Sequence, residues 1–347
     1  MSFISLAPRA RLVPGVGRDS AKIAIVGDYT TPFDDKALTP FSGPNGTVLE
    51  SCLHAAGLIK SDVYMTNVFK TKTSLPGKNA NFDFFNEKKK AFTPLGLEHA
   101  EMLRRELEGV NANVIVTCGL PGLMAVSDLV SSAKFRGYVT STTKLKRNRK
   151  LIPTHSPMAT IRSNYTYRHM IVADLQKARQ ECEFPEIVRP DRQLIYDYSS
   201  VEEVLQWLDY FTNQPVVCFD IEVINYEVAC LSFSSSPEIA CVVPIGTTSF
   251  RPNGWSESDE MQIWRGIQRV LGNESSIKVV QNGIFDIHFL ATRAGIVVRG
   301  PVHDTMIGHS VMFPELPKGL DFLGSIYCGS QSYWKDSVKF TNIKGES

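Results

Sequence analysis

Long apolar runs and paired cysteines are both absent from this 347-residue chain. Hydropathy gives no transmembrane candidate, and "MSFISLAPRARLVPG" lacks the continuous apolar core of a signal peptide. The seven cysteines include no CxxC pair, which argues against a zinc site and a disulfide framework and fits a reducing cytosol. We therefore expect a globular cytoplasmic protein with no membrane partner.

What the chain does have is a charge asymmetry that its net charge of +1 conceals. Residues 1–190 carry 26 Lys and Arg against 17 Asp and Glu, whereas residues 191–347 carry 11 against 19. Two domains of opposite electrostatic character are the natural interpretation. Prolines and charges interrupt the periodic pattern in "QECEFPEIVRPDRQ". We expect a first domain over 1–182, a linker over 183–193 and a second domain over 194–347.

The first half alternates strands with helices. The predicted strands are "AKIAIVGD", "DVYMTNVF", "ANVIVTCG" and "LIPTHSP", and amphipathic helices separate them. Strands separated by helices imply a mostly parallel sheet with helices on both faces, and functional loops at the C-terminal ends of the strands.

The second half differs in its connections. "PVVCFDIEV", "VACLSFSSS" and "IACVVPIG" are three successive strands with short connections, which predicts antiparallel pairing. Strand and helix units follow in "KVVQN" and "GIFDIHFLATRAG". This order predicts a mixed sheet of the ribonuclease H type.

Two acids interrupt the apolar strand "PVVCFDIEV". Asp220 and Glu222 are two residues apart, so they point to the same face of the strand. Like charges this close, on what the apolar run predicts to be a buried strand, are unfavourable unless something positive lies between them. A metal ion would meet that need.

Further acids follow at the ends of later elements. Asp286 begins a helix directly after a strand, with Asn282 four residues before it, and Asp304 lies in "PVHDTM". Clustered carboxylates at strand ends suit Mg²⁺ or Mn²⁺, which prefer oxygen ligands. Two such ions about 4 Å apart activate a water and stabilise the leaving oxygen of a phosphodiester.

The segments "FDIEV", "NGIFD" and "HDTM" resemble motifs of the 3′–5′ proofreading domain of family A DNA polymerases and of the wider DEDD exonuclease superfamily. The resemblance implies that Asp220, Glu222 and Asp286 bind two metal ions and carry catalysis. It gives Asp304, with Asn282, a supporting or structural part.

The third motif of that family, Tyr-x-x-x-Asp, is missing. The nearest match, "SYWKDSVKF", spaces Tyr333 and Asp336 one residue too close. We expect the motif to lie beyond residue 347, so that the exonuclease domain is incomplete at its C-terminus and its full chemistry requires the missing motif.

Segments of the first half, including "IVGDYTTPFDDKALTPFSGPNGTVLESCL" and "PTHSPMATIR", resemble the ordered motifs of the uracil-DNA glycosylase superfamily. The resemblance implies that Phe41 stacks on a flipped base and that Asn67 binds its pyrimidine edge. His155 would stabilise charge on the departing base, and Asp28 would orient water or stabilise the sugar cation. Tyr29 stands where the family has a smaller residue.

The iron–sulfur class of glycosylases resembles this half most closely, but the cluster cysteines are missing. No cysteine precedes Cys52, and "KKKAFTPLG" has none where the family has one. We therefore expect no iron–sulfur cluster.

A basic run precedes the strand that leads to His155. It contains five cations in seven residues, and we expect them to grip DNA phosphates near the base pocket: Lys144, Lys146, Arg147, Arg149 and Lys150.

Together the resemblances predict an α/β protein with a glycosylase-like parallel-sheet α/β/α domain followed by a ribonuclease-H-like mixed-sheet exonuclease domain. This domain order resembles the N-terminal region of DNA polymerases from large tailed Bacillus phages. It implies a proofreading role in replication in the cytoplasm of an infected bacterial host. DNA, the remaining polymerase domains and other replication proteins would be the partners. An active uracil-DNA glycosylase of base excision repair and a non-catalytic DNA-binding module are the alternatives.

Overall fold

The computed structural model describes residues 11–73, 83–246 and 254–329. The chain divides into two compact units, the first comprising Met1–Arg189 with Asp321–Ser347 and the second comprising Pro190–Leu320. Among the described residues, no helix is long and apolar enough to cross a membrane.

The first unit is built on a five-stranded sheet of order β2-β1-β5-β7-β6, with a separate β3-β4 hairpin. The strands are β1 Ile23–Tyr29, β2 Val63–Phe69, β3 Phe85–Asn86, β4 Ala91–Phe92, β5 Val114–Cys118, β6 Thr140–Ser141 and β7 Lys150–Thr154. The helices are α1 Pro32–Ala37, α2 Pro44–Ala55, α3 Pro94–Glu108, α4 Leu120–Val126, α5 Ser132–Phe135, α6 Pro157–Arg162 and α7 Tyr167–Glu181.

Strands β2, β1, β5 and β7 of this sheet are parallel, as predicted, whereas β6 at the other edge runs antiparallel to β7. Strands β2, β5 and β7 are buried along their whole length because helices cover both faces. Apolar side chains of the sheet pack into two cores, one including Leu103 and Leu151 and the other including Leu53 and Ile152. Parallel strands place the loops that follow β1, β2 and β7 at one edge, where candidate site residues gather.

The second unit contains a six-stranded mixed sheet of order β13-β12-β9-β10-β11-β8. Its strands are β8 Gln193–Ile195, β9 Val216–Ile224, β10 Glu227–Ser236, β11 Ile239–Pro244, β12 Ile277–Val280 and β13 Val302–Asp304. Its helices are α8 Val201–Thr212, α9 Glu257–Gly272, α10 Ile284–Phe289 and α11 Thr305–Met312, and a π-helical turn over Leu290–Ala294 follows α10. Strands β9, β10 and β11 are antiparallel, whereas β12 joins β9 in parallel, which confirms the predicted mixed sheet.

Strand β9 is buried on one face only, which corrects the expectation of a fully buried strand. Val217, Phe219 and Ile221 belong to the core, where residues of α8 and α9 pack. The alternate residues, which include Asp220 and Glu222, are exposed. Two carboxylates on the opposite face therefore keep access to water and ions, which a strand covered on both faces would deny them.

The helix α12, Leu320–Tyr327, marks the end of the described chain, and from Asp321 onward it groups with the first unit. The buried Lys177 ammonium donates hydrogen bonds to the carbonyl oxygens of Ser325 at 2.7 Å and Cys328 at 2.9 Å. A buried ammonium needs such acceptors. The second compact unit thus ends at Leu320, inside the span 194–347 that the sequence predicts as one domain.

Candidate active sites

The glycosylase-like site lies at the C-terminal edge of the parallel sheet in the first unit. Gly27 of β1 pairs with Asn67 of β2. A Cβ atom on Gly27 would lie 2.3 Å from Asn67 Oδ1 and 2.8 Å from Phe41 Cζ. Position 27 therefore has no room for a side chain, and its glycine lets Asn67 and Phe41 meet over the backbone of β1.

Asn67 carries an unsatisfied donor at this place. Its side chain is 3% exposed, and its Nδ2 atom has no hydrogen-bond partner among the described residues. A buried amide donor without an acceptor destabilises the folded state, so such a donor usually binds a ligand or a water molecule. The free Nδ2 fits recognition of a carbonyl oxygen on a base.

Phe41 is held in a strained backbone conformation beside Asn67. Its φ angle is 56°, in the left-handed region that L-residues avoid, and its side chain is 4% exposed. A Cβ atom on Gly46 would lie 1.7 Å from the Phe41 carbonyl oxygen. The glycine permits this close approach to the Phe41 backbone, and the Phe41 side chain packs in the same core as Leu53 and Ile152.

Asp28 follows Gly27 and turns towards the start of α4. Its Oδ1 atom accepts a hydrogen bond from the Gly122 amide at 2.9 Å. Burial raises the pKa of Asp28 to about 7, although the Gly122 hydrogen bond opposes the shift and the charge of Glu87 adds a little to it. Asp28 is therefore poised to exchange a proton near neutral pH.

His155 follows β7 at the same edge of the sheet. Its ring stacks on Tyr167 with centroids 4.1 Å apart and planes inclined by 19°. Burial lowers the pKa of His155 to about 4, and the positive charge of Arg136 contributes to the shift. The imidazole is thus neutral at pH 7, a form that donates a hydrogen bond from one nitrogen and accepts one at the other.

Tyr29 also lies at this edge, and its ring packs on Phe69 with centroids 5.0 Å apart. Its hydroxyl is buried and has no hydrogen-bond partner among the described residues, and burial raises its pKa. Tyr29 therefore remains a neutral phenol next to Asp28 and adds a second unsatisfied polar group to this edge.

The exonuclease-like site is formed by β9 and the first turn of α10. Asp220 and Glu222 project from the exposed face of β9, and Asp286 is 7% exposed. The backbone amide of Ile221 donates a hydrogen bond to Asp286 Oδ1 at 3.1 Å. The helix acid is thereby tied to the backbone position between the two strand acids.

The repulsion among the three acids is reflected in the pKa of Asp220. Partial burial of the Asp220 carboxyl raises its pKa to about 6, and the negative charges of Asp286 and Glu222 raise it as well. The oxygen donors suit Mg²⁺ or Mn²⁺, whose charge would relieve this repulsion. In the described part of the chain, however, no three His, Cys, Asp or Glu side chains are yet arranged as a complete metal-binding group.

Asp304 supports the loop before Asp286. It caps α11, and its carboxylate accepts hydrogen bonds from the amides of Asn282 at 3.1 Å, Gly283 at 2.9 Å and Met306 at 2.8 Å. Burial alone would raise the Asp304 pKa, but these backbone donors together lower it. Asn282 is exposed with a left-handed φ of 56°, a conformation that Asn tolerates. Asp304 thus stabilises the turn at Asn282 and Gly283.

Tyr333 and Asp336, the nearest match to the third exonuclease motif, lie outside the described residues.

The basic run lies elsewhere than expected. Lys150 begins β7 and His155 follows its last residue, so the run and the pocket occupy opposite edges of the parallel sheet. Lys150 is fully buried, and its ammonium donates to Glu181 Oε2 at 2.7 Å. Arg149 is 2% exposed. The expectation that these residues grip DNA beside the base pocket is thus corrected. The run leads into β7 and the pocket follows it, so the two lie at opposite ends of the strand, and Lys150 is buried where DNA cannot reach it.

Sequence reasoning missed two contributors to the glycosylase-like site. The Gly122 amide, which binds Asp28, belongs to the first turn of α4, where the segment "GLPG" after β5 could have been noticed as a glycine-rich strand end. Tyr167, which stacks on His155, comes from the following helix, and no local pattern marks it.

Each of the two α/β units has polar residues at the ends of its strands, and comparison with known families matches both parts of the chain. Residues 14–176 match the uracil DNA glycosylase superfamily, and residues 193–341 match a 3′-5′ exonuclease family. The chain therefore consists of a uracil-DNA-glycosylase-superfamily domain followed by a 3′-5′ exonuclease domain. Domains of both families act on nucleic acid, which implies DNA binding.

Individual relatives cover one domain each. A type-4 uracil-DNA glycosylase of Thermotoga maritima is 29% identical over 182 residues, or 49% of this chain and 83% of that protein. One of Archaeoglobus fulgidus is 29% identical over 159 residues, or 44% of this chain and 73% of that protein. The solved structure of Escherichia coli RNase D is 14% identical with a TM-score of 0.31, over 46% of this chain and 39% of that one. The chain thus spans less than half of that structure's length.

Proposed function

We propose that this chain hydrolyses DNA from the 3′ end through a two-metal site, as the proofreading part of a replicative DNA polymerase. The observation that carries the proposal is the hydrogen bond from Ile221 to Asp286, which keeps the helix acid beside Asp220 and Glu222. Exonuclease domains of this type normally use divalent metals. Bound there, a metal pair would activate water and neutralise charge on the leaving oxygen.

Each acid of the site would have its own role in the proposed reaction. Asp220 and Glu222, on the open face of β9, would hold the metals and leave room for a strand terminus. Asp286 would complete the oxygen set from α10, while Asp304 keeps the preceding turn in place through the Asn282 and Gly283 amides.

The wider setting belongs to the same proposal. The order of a glycosylase-like domain and a proofreading exonuclease supports a phage DNA polymerase acting in the cytoplasm of an infected bacterium. The remaining polymerase domains and other replication proteins would be its partners. The encoding DNA tests this directly, since it should continue into a Tyr-x-x-x-Asp motif and a polymerase domain.

The chemical proposal is tested with a 5′-labelled duplex that has a mispaired 3′ end, incubated with the chain and Mn²⁺. We expect shortening from the 3′ end that requires the metal and disappears in Asp220→Ala. Glu238→Ala, which removes an exposed acid from the turn between β10 and β11, is the matched control and should retain activity. DNA binding without shortening by the unmodified chain would support a non-catalytic binding module instead.

Uracil excision is a second candidate function, favoured by the unpartnered Asn67 Nδ2 and by the pKa of Asp28 near 7. Asn67 would bind the base, Phe41 would stack on it, and Asp28 would orient water. A strand with one internal uracil tests this candidate: alkali-sensitive cleavage at the uracil that is lost in Asn67→Ala would establish it. An intact strand after prolonged incubation would leave the first unit with DNA binding alone.

A further inference from the structure

The basic run forms part of a cleft at the edge of the first unit's sheet that lies away from the base pocket. The cleft has a volume of about 240 Å³ and is lined by Glu101, Arg104, Arg105, Glu108, Lys144 and Lys146. Four cations thus face two carboxylates. No aromatic side chain lines the cleft, so it offers charge and hydrogen-bond donors but no surface for stacking a base.

Part of this positive charge is already neutralised by the protein. Arg104 and Arg105 both bind Glu101, and Lys144 lies 3.4 Å from Asp128 Oδ1. Lys146 is different, because its side chain is exposed and its ammonium has no hydrogen-bond or ion-pair partner among the described residues. Its backbone amide is held by Glu108 Oε1 at 2.7 Å, which fixes the loop that presents it.

Arg149 is a further cation of the same basic run, and it is buried. It directly precedes β7, whose first residue Lys150 donates to Glu181, and its backbone amide donates to Thr142 Oγ1 at 3.0 Å. Burial lowers the pKa of Arg149, while the charge of Glu108 raises it and that of Arg147 lowers it. Glu108, which also lines the cleft, and Arg147 therefore both act electrostatically on this guanidinium.

The Arg149 guanidinium is also short of acceptors. It is 2% exposed, and its Nε and Nη1 atoms have no hydrogen-bond partner among the described residues. An unpaired buried guanidinium is costly, and a bound anion would satisfy it. Arg147 is exposed beside it and makes one hydrogen bond, from Nη2 to Asn113 Oδ1 at 3.2 Å.

We propose that Lys146, Arg147 and Arg149, with the α3 cleft, form a second nucleic-acid site that binds backbone phosphates and is separate from the base pocket. The five residue steps from Lys150 to His155 correspond to roughly 16 Å along β7. That distance is about five nucleotides along one strand. The site therefore holds a different stretch of nucleic acid from the nucleotide at the pocket, without regard to sequence.

The test measures binding of the full chain to a labelled single strand without uracil, across a range of salt concentrations. The variant Lys146→Glu with Arg147→Glu is compared with Arg265→Glu with Arg269→Glu, which makes the same charge change on exposed positions of α9 in the second unit. We expect the first variant to lower the slope of log affinity against log salt by roughly 1.4, which is 0.7 for each lost contact. The α9 variant should change the slope much less.

Two further measurements complete the test. Arg149→Lys keeps the charge but loses the fork of donors, so binding should weaken by a smaller amount while the melting temperature shows whether the fold is intact. Tripolyphosphate should compete with the strand. Equal salt slopes for the two double variants would overturn the proposal. It would also be overturned if tripolyphosphate binding depended on Lys146 but binding of the DNA strand did not.

This proposal stands apart from the proposed catalysis. Asp220→Ala and Asn67→Ala leave the cleft untouched and should retain the salt slope of the unmodified chain. Loss of nuclease activity in Asp220→Ala, or of uracil excision in Asn67→Ala, with the salt slope preserved, shows that the catalytic sites fail independently of the cleft.

Discussion

Asp286 Oδ1 accepts a hydrogen bond from the backbone amide of Ile221 at 3.1 Å. Ile221 itself points into the core of the second unit, while its neighbours Asp220 and Glu222 point to the open face. One backbone bond therefore joins the acid of a helix to a strand 65 residues earlier in the chain. This contact positions the third acid without using a charged partner, and the repulsion among the acids remains available for a metal to relieve.

The substitution Asp286→Asn should separate position from charge. The introduced amide can still accept the Ile221 bond through its oxygen, so the fold should survive, but the site loses one negative charge. We expect Mn²⁺-dependent exonuclease activity to fall by at least about 100-fold, because losing an outer-shell partner already costs about 10–100-fold and Asp286 is placed as a direct ligand. NMR titration should show the pKa of Asp220 moving down from about 6, because one repelling charge has gone.

An unchanged Asp220 titration in this variant would contradict the proposed coupling of the acids. Glu227→Gln, on an exposed position of the adjacent strand β10, is the control for a nearby loss of charge and should leave activity intact.

Metal binding should depend on pH through Asp220. A pKa of about 6 means that protons compete with the metal below that pH, so Mn²⁺ affinity should rise from about pH 5 to about pH 7.5 and binding should release protons. Calorimetry in two buffers of different ionisation enthalpy measures both effects. Asp220→Asn should remove this part of the pH dependence, and a flat affinity in the unmodified chain over this range would exclude it.

The same raised pKa affects stability without metal. Because the folded-state pKa lies above the ordinary value of 3.8, ionising Asp220 costs stability as the pH rises from about 4 to about 6. Asp220→Asn should therefore raise the melting temperature more at about pH 7.5 than at about pH 4, and thermal denaturation at the two pH values measures the difference. An equal change in melting temperature at the two pH values would show that ionising Asp220 does not lower the stability of the fold.

If the first unit excises uracil, its rate should rise with pH through about 7, the pKa of Asp28, because only the carboxylate can orient water as a base. The neutral His155, with a pKa of about 4, should add no inflection between about pH 5 and about pH 9. Single-turnover rates across this range check both statements. Asp28→Asn should abolish the rise, and a rate that falls through neutral pH would reverse the assignment.

Gly119→Ala should disturb Asp28 directly. Gly119 has a φ of 134°, and a Cβ atom there would lie 1.9 Å from Asp28 Oδ2. We expect a loss of about 1–3 kcal/mol in unfolding free energy from backbone strain, and more if Asp28 cannot move. Denaturant titration measures it. Gly272→Ala is the matched control, because a Cβ atom there meets nothing within 4 Å, and an equal loss in both variants would contradict the clash.

Tyr167→Leu should release His155 from its stacked position. The aromatic pair contributes about 0.5–1.5 kcal/mol beyond burial, so unfolding free energy should fall by at least that amount. The His155 pKa should rise from about 4, since burial is the larger cause of its shift. NMR titration of the imidazole measures this, with Tyr165→Leu, which removes an exposed ring nearby, as the control.

Much of the fold followed from the sequence because its signals are local. The four parallel strands of the first unit and the antiparallel run from β9 to β11 were predicted from apolar periodicity and connection lengths. The side-by-side placement of Asp220 and Glu222 also followed from the alternation of a single strand. What the pattern did not indicate was the open face of β9, because exposure depends on which elements cover the sheet.

By itself, the sequence determined which chemical groups this protein has and the order in which they follow one another, since alternation and strand ends are properties of short segments. Only the tertiary structure decided which groups meet and which are hidden. In its local segment Lys150 resembles a phosphate ligand, yet its buried ammonium forms an ion pair with Glu181, 31 residues away. The basic run looked adjacent to His155 in the chain, yet the length of β7 places them at opposite edges, because a strand carries the chain across its sheet.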